Sequence, residues 1–288
     1  MLKNIGLVYD RIRFEEKAII EKGKEKGLSI KPSDAKTLCL NVKSSNKESK
    51  AIFGDVVLQR CISYFRGLHV TAFLESKGID VINSLSVAQI CGNKILTTLA
   101  LIKAGVPTPD TLIAFSPEGV YEAINKTGYP AVLKPIIGSW GRLVALLKDK
   151  DTTDAILESR ELLNNPIYSI YYIQEMVNRP PRDIRAIVVG DRIIASVYRY
   201  APQEDWRTNV ARGGKTTPCP LTKELEDIVL KAADAVGGGI LGVDALESPN
   251  GILVHEVNNT VEFKGAMAAG ATNIPDEILD YAIGLARR

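Results

Sequence analysis

Histidine is scarce in this chain. The two present, His69 and His255, sit in no Ser/His/Asp or zinc-protease pattern, so packing or surface roles are the default for both. The four cysteines, Cys39, Cys61, Cys91 and Cys219, are widely scattered, with no Cys-x-x-Cys pair. That argues against a zinc site or a disulfide framework, and none has an activating context. No G-x-G-x-x-G follows the first apolar run, which removes the dinucleotide fingerprint, and no Gly-Lys-Ser/Thr completes a Walker A loop. No stretch approaches the roughly 18 apolar residues of a membrane span. The opening MLKNIGLVYD enters a strand pattern at once, without a signal or transit segment, so a cytoplasmic protein is expected. Excess charge is lacking too. The 36 Lys+Arg against 34 Asp+Glu leave a net +2, too balanced for a general nucleic-acid binder, though a compact acidic partner stays open. There is no internal repeat.

What is present is an ordinary globular composition, 45% hydrophobic and 24% charged over 288 residues, enough for a substantial core and about two domains by length. The opening third alternates short apolar strands with amphipathic helices (Ile5 to Tyr9, Phe14 to Lys26, Asp55 to Gln59, Tyr64 to Lys77, Val81 to Asn83), which predicts a parallel sheet with crossover helices. Asn93 reads as the N-cap of a helix over 94–104, ended by Gly105 and Pro107, and opens a second unit. From Tyr171 the pattern shifts to longer strands and tight turns, hence antiparallel pairing, with Gly190-Asp191 suited to a type II′ hairpin. The expected divisions are 1–92, 93–170 and 171–288.

The most informative stretch runs from Gly239 to Asn259. Ser248-Pro249-Asn250-Gly251 is a turn signal between two apolar runs, which predicts a hairpin. A three-residue loop of Pro249, Asn250 and Gly251 pairs Ser248 with Ile252 and sets Asp244 opposite Glu256. Asn258 then shares that face, while His255 and Val257 point away. Opposed carboxylates repel one another unless a cation offsets them, and hard oxygen ligands suit magnesium. The alternative is an exposed face of solvated acids, and a two-residue turn would move Asp244 to the other face.

Two further constellations accompany it. Lys134 ends a strand, and Gly138 and Gly141 loosen the loop that follows, so a lysine and backbone amides can approach phosphate. A plain hairpin connection is the alternative. The edge from Ile173 to Val177 can hydrogen-bond an adenine. Arg182, Arg185 and Arg199 can bind phosphate or carboxylate, or form a solvated strand face. Asn209 and Arg212, in a polar segment ending in glycines, can face a reacting phosphate or lie in a surface loop.

Taken in order, several segments resemble the ATP-grasp ligases: Asn93-Lys94, VLKP (132–135), GSWGR (138–142), QEMV (174–177), RDIRAIVVGD (182–191), NVARGG (209–214), GVD (242–244) and HEVNNTVEFKG (255–265). They resemble in particular the branch containing ribosomal-protein glutamate ligases and the amino-group carrier protein ligases of lysine and arginine biosynthesis. The resemblance implies an α/β ATP-grasp fold, with an N-terminal Rossmann-like parallel-sheet domain and central and C-terminal domains clamping ATP. It implies that Lys94 and Lys134 contact ATP phosphates under a loop containing Gly138, Ser139, Trp140, Gly141 and Arg142. Gln174, Glu175, Met176 and Val177 would bind adenine, with Arg182, Asp183 and Arg185 adjoining. Arg199, Asn209 and Arg212 would serve nucleotide or intermediate. Asp244, Glu256 and Asn258 would hold magnesium, as two ions. Asn259-Thr260 resembles the signature associated with glutamate and the arginine branch. The implied reaction joins glutamate, through an acyl phosphate, to the C-terminal glutamate side chain of a small acidic carrier protein, and a homo-oligomer is expected. An α-aminoadipate ligase is the alternative within the family. An ATP-binding regulatory module without turnover is the alternative outside it, separable by amino-acid-dependent phosphate release.

Overall fold

A computed structural model describes residues 4–202, 205–208 and 215–286. The first sheet consists of β1 (Asn4–Tyr9), β2 (Ser29–Asp34), β3 (Val56–Gln59) and β4 (Asp80–Ile82), all parallel in the order β2-β1-β3-β4, with Val/Ile/Leu runs in β1 and β3. The crossovers are α1 (Phe14–Glu25), α2 (Asn46–Phe53) and α3 (Tyr64–Ser76). Strand β2 and helix α2 were not anticipated. The sequence SIKPSD has almost no apolar alternation, and its Pro32 is tolerated because β2 is an edge strand. Two further helices, α4 (Leu85–Gly92) and α5 (Lys94–Lys103), follow. Asn93 caps α5 as expected, its side chain accepting from the N–H groups of Ile95 and Leu96.

The second sheet contains β5 (Thr111–Ala114), β6 (Ala131–Lys134), β7 (Ala145–Leu147) and β8 (Tyr171–Glu175), antiparallel in the order β5-β8-β6-β7. Helices α6 (Pro117–Thr127) and α7 (Lys150–Glu161) start at the capping side chains Ser116 and Asp149. The division expected before Tyr171 falls just ahead of β8, which joins this second sheet, so the third sheet starts at β9.

That third sheet is β9 (Arg182–Val189), β10 (Arg192–Tyr200), β11 (Lys215–Pro218), β12 (Ile240–Ser248) and β13 (Gly251–Asn258), antiparallel in the order β11-β10-β9-β12-β13. Val189 pairs with Arg192 across Gly190-Asp191, and Gly190 takes the positive φ of 64° that the turn requires. Helix α8 (Lys223–Ala235) packs on one face of the sheet, and α10 (Ile274–Ala286) with the first sheet on the other. The short α9 (Lys264–Ala268) lies between β13 and α10. Among the described residues no single helix is long and apolar enough to cross a membrane.

The β12–β13 hairpin corrects the expected register. Ser248 pairs with Gly251, so the loop is Pro249 and Asn250 alone. A β-bulge then compensates: Ala245 pairs with Val254 but Asp244 pairs with Glu256, leaving His255 as the extra residue. Asp244 therefore opposes Glu256 as expected, through a different loop plus a bulge. The bulge also explains why Val254 and Val257, three apart, are both fully buried.

Candidate functional site

Two adjoining cavities open where the three sheets meet. The larger, about 670 Å³, lies between the N-terminal unit and the third sheet, and the smaller, about 100 Å³, between the second and third sheets. They share Gly138, Ser139, Trp140, Arg199, Asp244 and Glu256 in their walls. The two cavities therefore adjoin at a common wall that includes the Asp244–Glu256 pair and Arg199.

The smaller cavity carries two lysines from different elements. Lys134, at the end of β6 and 9% exposed, donates to Gln174 Oε1 at 2.6 Å. Gln174 in turn donates to Thr111 Oγ1 and the Tyr172 hydroxyl, both at 3.0 Å, so the lysine rests on an oriented polar chain. Burial, with Lys94 nearby, brings the Lys134 ammonium down to about 8 despite the pull of Glu256. Lys94, first residue of α5, donates to Glu256 Oε1 at 3.0 Å and to the Gly138 carbonyl at 3.1 Å. Its own backbone N–H bonds the Ile136 carbonyl at 2.8 Å, tying the helix start to the β6–β7 loop. In that loop Trp140 and Leu143 take the left-handed conformation, with φ of 60° and 56°, and Gly141 has φ 63°. Two large residues held there mark a backbone shaped by its surroundings.

Across β10, β9 and β12 the third sheet interleaves arginines and aspartates. Arg199 on β10 binds Asp183 on β9 through two bonds of 2.7 and 2.8 Å. Arg185, two residues along β9, binds Asp244 on β12, with NH2 to Oδ2 at 2.7 Å, and Arg199 also reaches Asp244 Oδ2 at 3.1 Å. Asn258 donates to the same oxygen at 3.3 Å. Burial alone would raise the Asp244 carboxyl, but Arg185 and Arg199 hold it well below the usual carboxylate range. For Glu256 the same opposition is won by Lys94.

The residues expected at a nucleotide and metal site fall as follows. Lys94, Lys134, Gly138, Ser139, Trp140, Gly141, Arg142, Gln174, Glu175, Met176, Val177, Asp183 and Arg199 all line the smaller cavity. Arg185, Asn258, Asn259 and Thr260 line the larger one. Arg182 is a correction. It grips Glu247 at 2.7 and 3.0 Å and stacks over the Tyr198 ring, because strand alternation turns it to the face opposite Asp183 and Arg185. Asn209 and Arg212 lie outside the described residues. His255 was missed: the bulge puts it in the wall of the smaller cavity, its Nε2 buried without a hydrogen-bond partner among the described residues. Burial, then Lys134, push its imidazole down to about 3, so it is neutral at physiological pH. Val254 and Val257, apolar at a spacing of three in a strand, were the available signal.

Among the described residues no group of three or more His, Cys, Asp or Glu is placed to hold a metal ion. The donor set is two carboxylates and one amide, each carboxylate already facing a protein cation. Such a set fits magnesium only as a shared site, to which a bound phosphate would contribute.

A RimK-like ATP-grasp domain profile matches residues 91–282, and a LysX preATP-grasp domain profile matches residues 5–90. The chain belongs to the RimK-like ATP-grasp family. This RimK-like protein is 36% identical over 280 residues to the glutamate–LysW ligase ArgX of Sulfurisphaera tokodaii, covering 96% of this chain and 97% of that one. It is 39% identical over 271 residues to the α-aminoadipate–LysW ligase LysX of Saccharolobus solfataricus, covering 94% and 97%. The crystal structure of a RimK domain protein from Sphaerobacter thermophilus superposes with a TM-score of 0.79 at 24% identity, covering 98% of this chain and 100% of that one. The fold is ATP-grasp and the chain is an ATP-dependent ligase.

Proposed function

We propose that this ligase joins the α-amino group of glutamate to the C-terminal glutamate side chain of a small acidic amino-group carrier protein, by way of an acyl phosphate. The observation that carries the reading is the meeting of a lysine-lined cavity and a larger cavity at one acid pair, with Asn259 and Thr260 facing the larger. The identity to a glutamate–LysW ligase over nearly the whole chain supports it. ATP is placed between the second and third sheets, its adenine along Gln174 to Val177 and its phosphates at Lys94 and Lys134, with the smaller cavity, about 100 Å³ in the free protein, widening to admit it. Asp244, Glu256 and Asn258 would hold magnesium, which supplies neutralisation of the charge on the transferred phosphoryl group. The acceptor carboxylate oxygen attacks the terminal phosphorus and ADP departs. The amine nitrogen then attacks the acyl carbon, and phosphate leaves as the amide forms and the amine gives up its protons to solvent. Arg199, which lines both cavities and with Arg185 balances Asp244 in the free protein, is a guanidinium available to that phosphate. Positioning and charge neutralisation suffice for such a transfer, so a covalent protein nucleophile is unnecessary.

The second reading replaces glutamate by α-aminoadipate, one methylene longer, and is favoured by the identity to the Saccharolobus enzyme. One methylene is worth about 1–3 kcal/mol of discrimination, enough to read directly. The test is ADP release with magnesium, ATP and a purified acidic carrier, comparing the two amino acids. Glutamate-dependent release that falls roughly 100-fold or more in Glu256→Ala is expected. Preference for α-aminoadipate moves the protein to the second reading, and release without amino-acid dependence sinks both.

A further inference from the structure

The segment that leaves β13, Asn259 to Lys264, forms a strap along the floor of the larger cavity. Its residues alternate: Asn259, Thr260, Glu262 and Lys264 line the cavity, while Val261 and Phe263 are fully buried. A strap outside any sheet must find partners for its backbone polar groups. Here they come from side chains of the N-terminal unit, some 180 to 250 residues away in sequence. Asn83 Nδ2 donates to the Asn259 carbonyl at 2.8 Å, and Arg60 NH2 to the Val261 carbonyl at 2.9 Å. Glu15 Oε1 accepts from the N–H groups of Phe263 and Lys264, both at 3.1 Å.

These anchors are themselves fixed. Asn83, 5% exposed, exchanges two bonds of 2.7 Å with the backbone of Ile240. Arg60, also 5% exposed, is held by Glu16, fully buried, at 3.1 Å. Glu16 is in turn clamped by the backbone N–H and guanidinium of Arg13 at 2.7 to 3.1 Å. Neither Arg60 nor Asn83 lines the larger cavity, so neither can touch what binds there.

We propose that Arg60 and Asn83 are positioning residues for amino-acid selection: they fix the carbonyls on either side of Thr260 and so set where Asn259 and Thr260 meet the substrate. The proposal rests on the ligase reading above, with the amino acid entering the larger cavity that Asn259 and Thr260 line. It assigns part of the specificity to the N-terminal unit, which holds neither nucleotide phosphate nor metal. Buried ionic groups kept in place of apolar ones are explained by such a demand for one backbone geometry, since a buried ion pair adds little net stability.

The test uses the full-length enzyme with carrier, magnesium and ATP, in Arg60→Met, Arg60→Lys and Asn83→Ala. Arg60→Met leaves Glu16 paired with Arg13 and so creates no stranded buried charge. The expected result for Arg60→Met and Asn83→Ala is a KM for the amino acid raised roughly tenfold or more, the scale of one lost charged hydrogen bond. The glutamate-to-α-aminoadipate preference shrinks with it, while KM for ATP stays within about twofold. Arg60→Lys restores part of the preference. An unchanged preference, or parallel rises in both KM values, overturns the proposal. Hydrogen exchange at the Phe263 and Lys264 amides gives a readout independent of substrate: faster exchange in Arg60→Met is expected, and exchange as in the wild type overturns the anchoring argument. A wild-type enzyme that responds to neither amino acid sinks the ligase reading instead, and leaves the exchange result to judge the strap.

Discussion

Lys134 brings its charge to a place with little water, and that sets how it responds to pH. Burial, together with Lys94, lowers its ammonium to about 8 against the attraction of Glu256 and Asp244. Below about 8 both the folded and unfolded chains carry the proton, so the full cost of burying the charge is present. That cost is relieved as pH rises from the folded value toward the unfolded one, and the lysine is then neutral in the fold. A polyphosphate ligand reverses the preference, because it favours the cation. Nucleotide binding is therefore expected to take up a proton at alkaline pH. Its dissociation constant should be flat below the folded pKa and then rise by up to about tenfold per pH unit. Calorimetry from about pH 7 to about pH 10 in buffers of different ionisation enthalpy measures both, with Lys134→Met as the flat control. A slope that survives in Lys134→Met assigns the titration elsewhere. Lysine at a strand end was readable from sequence. Its partner chain through Gln174 to Tyr172 and Thr98 was not, since β6 meets β8 at Gln174 and β8 meets α5 at Thr98 only in the fold.

At the scale of elements, the strands β10, β9, β12 and β13 act as one ladder in which each acid balances a neighbouring cation. The ladder predicts that Asp244 and Glu256, two of its three acids, differ in structural weight. Asp244, 2% exposed, faces both Arg185 and Arg199, so Asp244→Asn strands buried guanidinium charge and is expected to lower stability by about 3–5 kcal/mol. Glu256, a quarter exposed, pairs with Lys94, and Glu256→Gln should cost less stability than Asp244→Asn while lowering turnover roughly 100-fold or more. Denaturant unfolding of the two variants side by side checks this, and equal losses would count against the ladder. Polyphosphate should rescue Asp244→Asn, because it offers the arginines another anion. The pairing of Asp244 with Glu256 was legible in the sequence, but the route to it was not. Alternation and a turn signal fix that two strands meet; they do not reveal whether a loop has two residues and a bulge or three and no bulge. The same limit hid β2, whose side chains alternate too weakly to mark a strand, and it kept Arg182 among the site candidates until the strand's facing was known. The strap's anchors were beyond reach for another reason. Glu15, Arg60 and Asn83 carry no local motif, and only the packing of the first sheet against the third brings them to residues 259–264.

The whole molecule is organised by two kinds of core. One buried cluster runs without a break from the first sheet (Ile5, Leu7, Val56, Leu58) through the strap (Val261, Phe263) and α10 (Ile274, Ile278) into the third sheet (Ile187, Val189, Ile240). The ion pairs of Lys26 with Asp276 and Asp280, at 2.7 and 2.8 Å, reinforce the contact of α1 with α10 at its rim. The second sheet has a core of its own, with Val120, Leu133, Leu147 and Ile173. The larger cavity therefore lies mostly within one cohesive body, whereas the smaller lies between that body and a separate one. In the proposed reading, a nucleotide bound between Lys134 and Gln174 on one side and His255 and Glu256 on the other would link the two. Phe263, fully buried in the shared cluster, is the residue on which to test this division. Phe263→Ala should cost about 3–5 kcal/mol through the cavity it leaves. Native-state hydrogen exchange should then accelerate together in β1, β3, β9 and β12, with β6 and β8 little changed, and ATP should slow exchange most around β6 and β8. If the first sheet opens without the third, the shared cluster does not couple them, and the strap would have to be positioned by the third sheet alone.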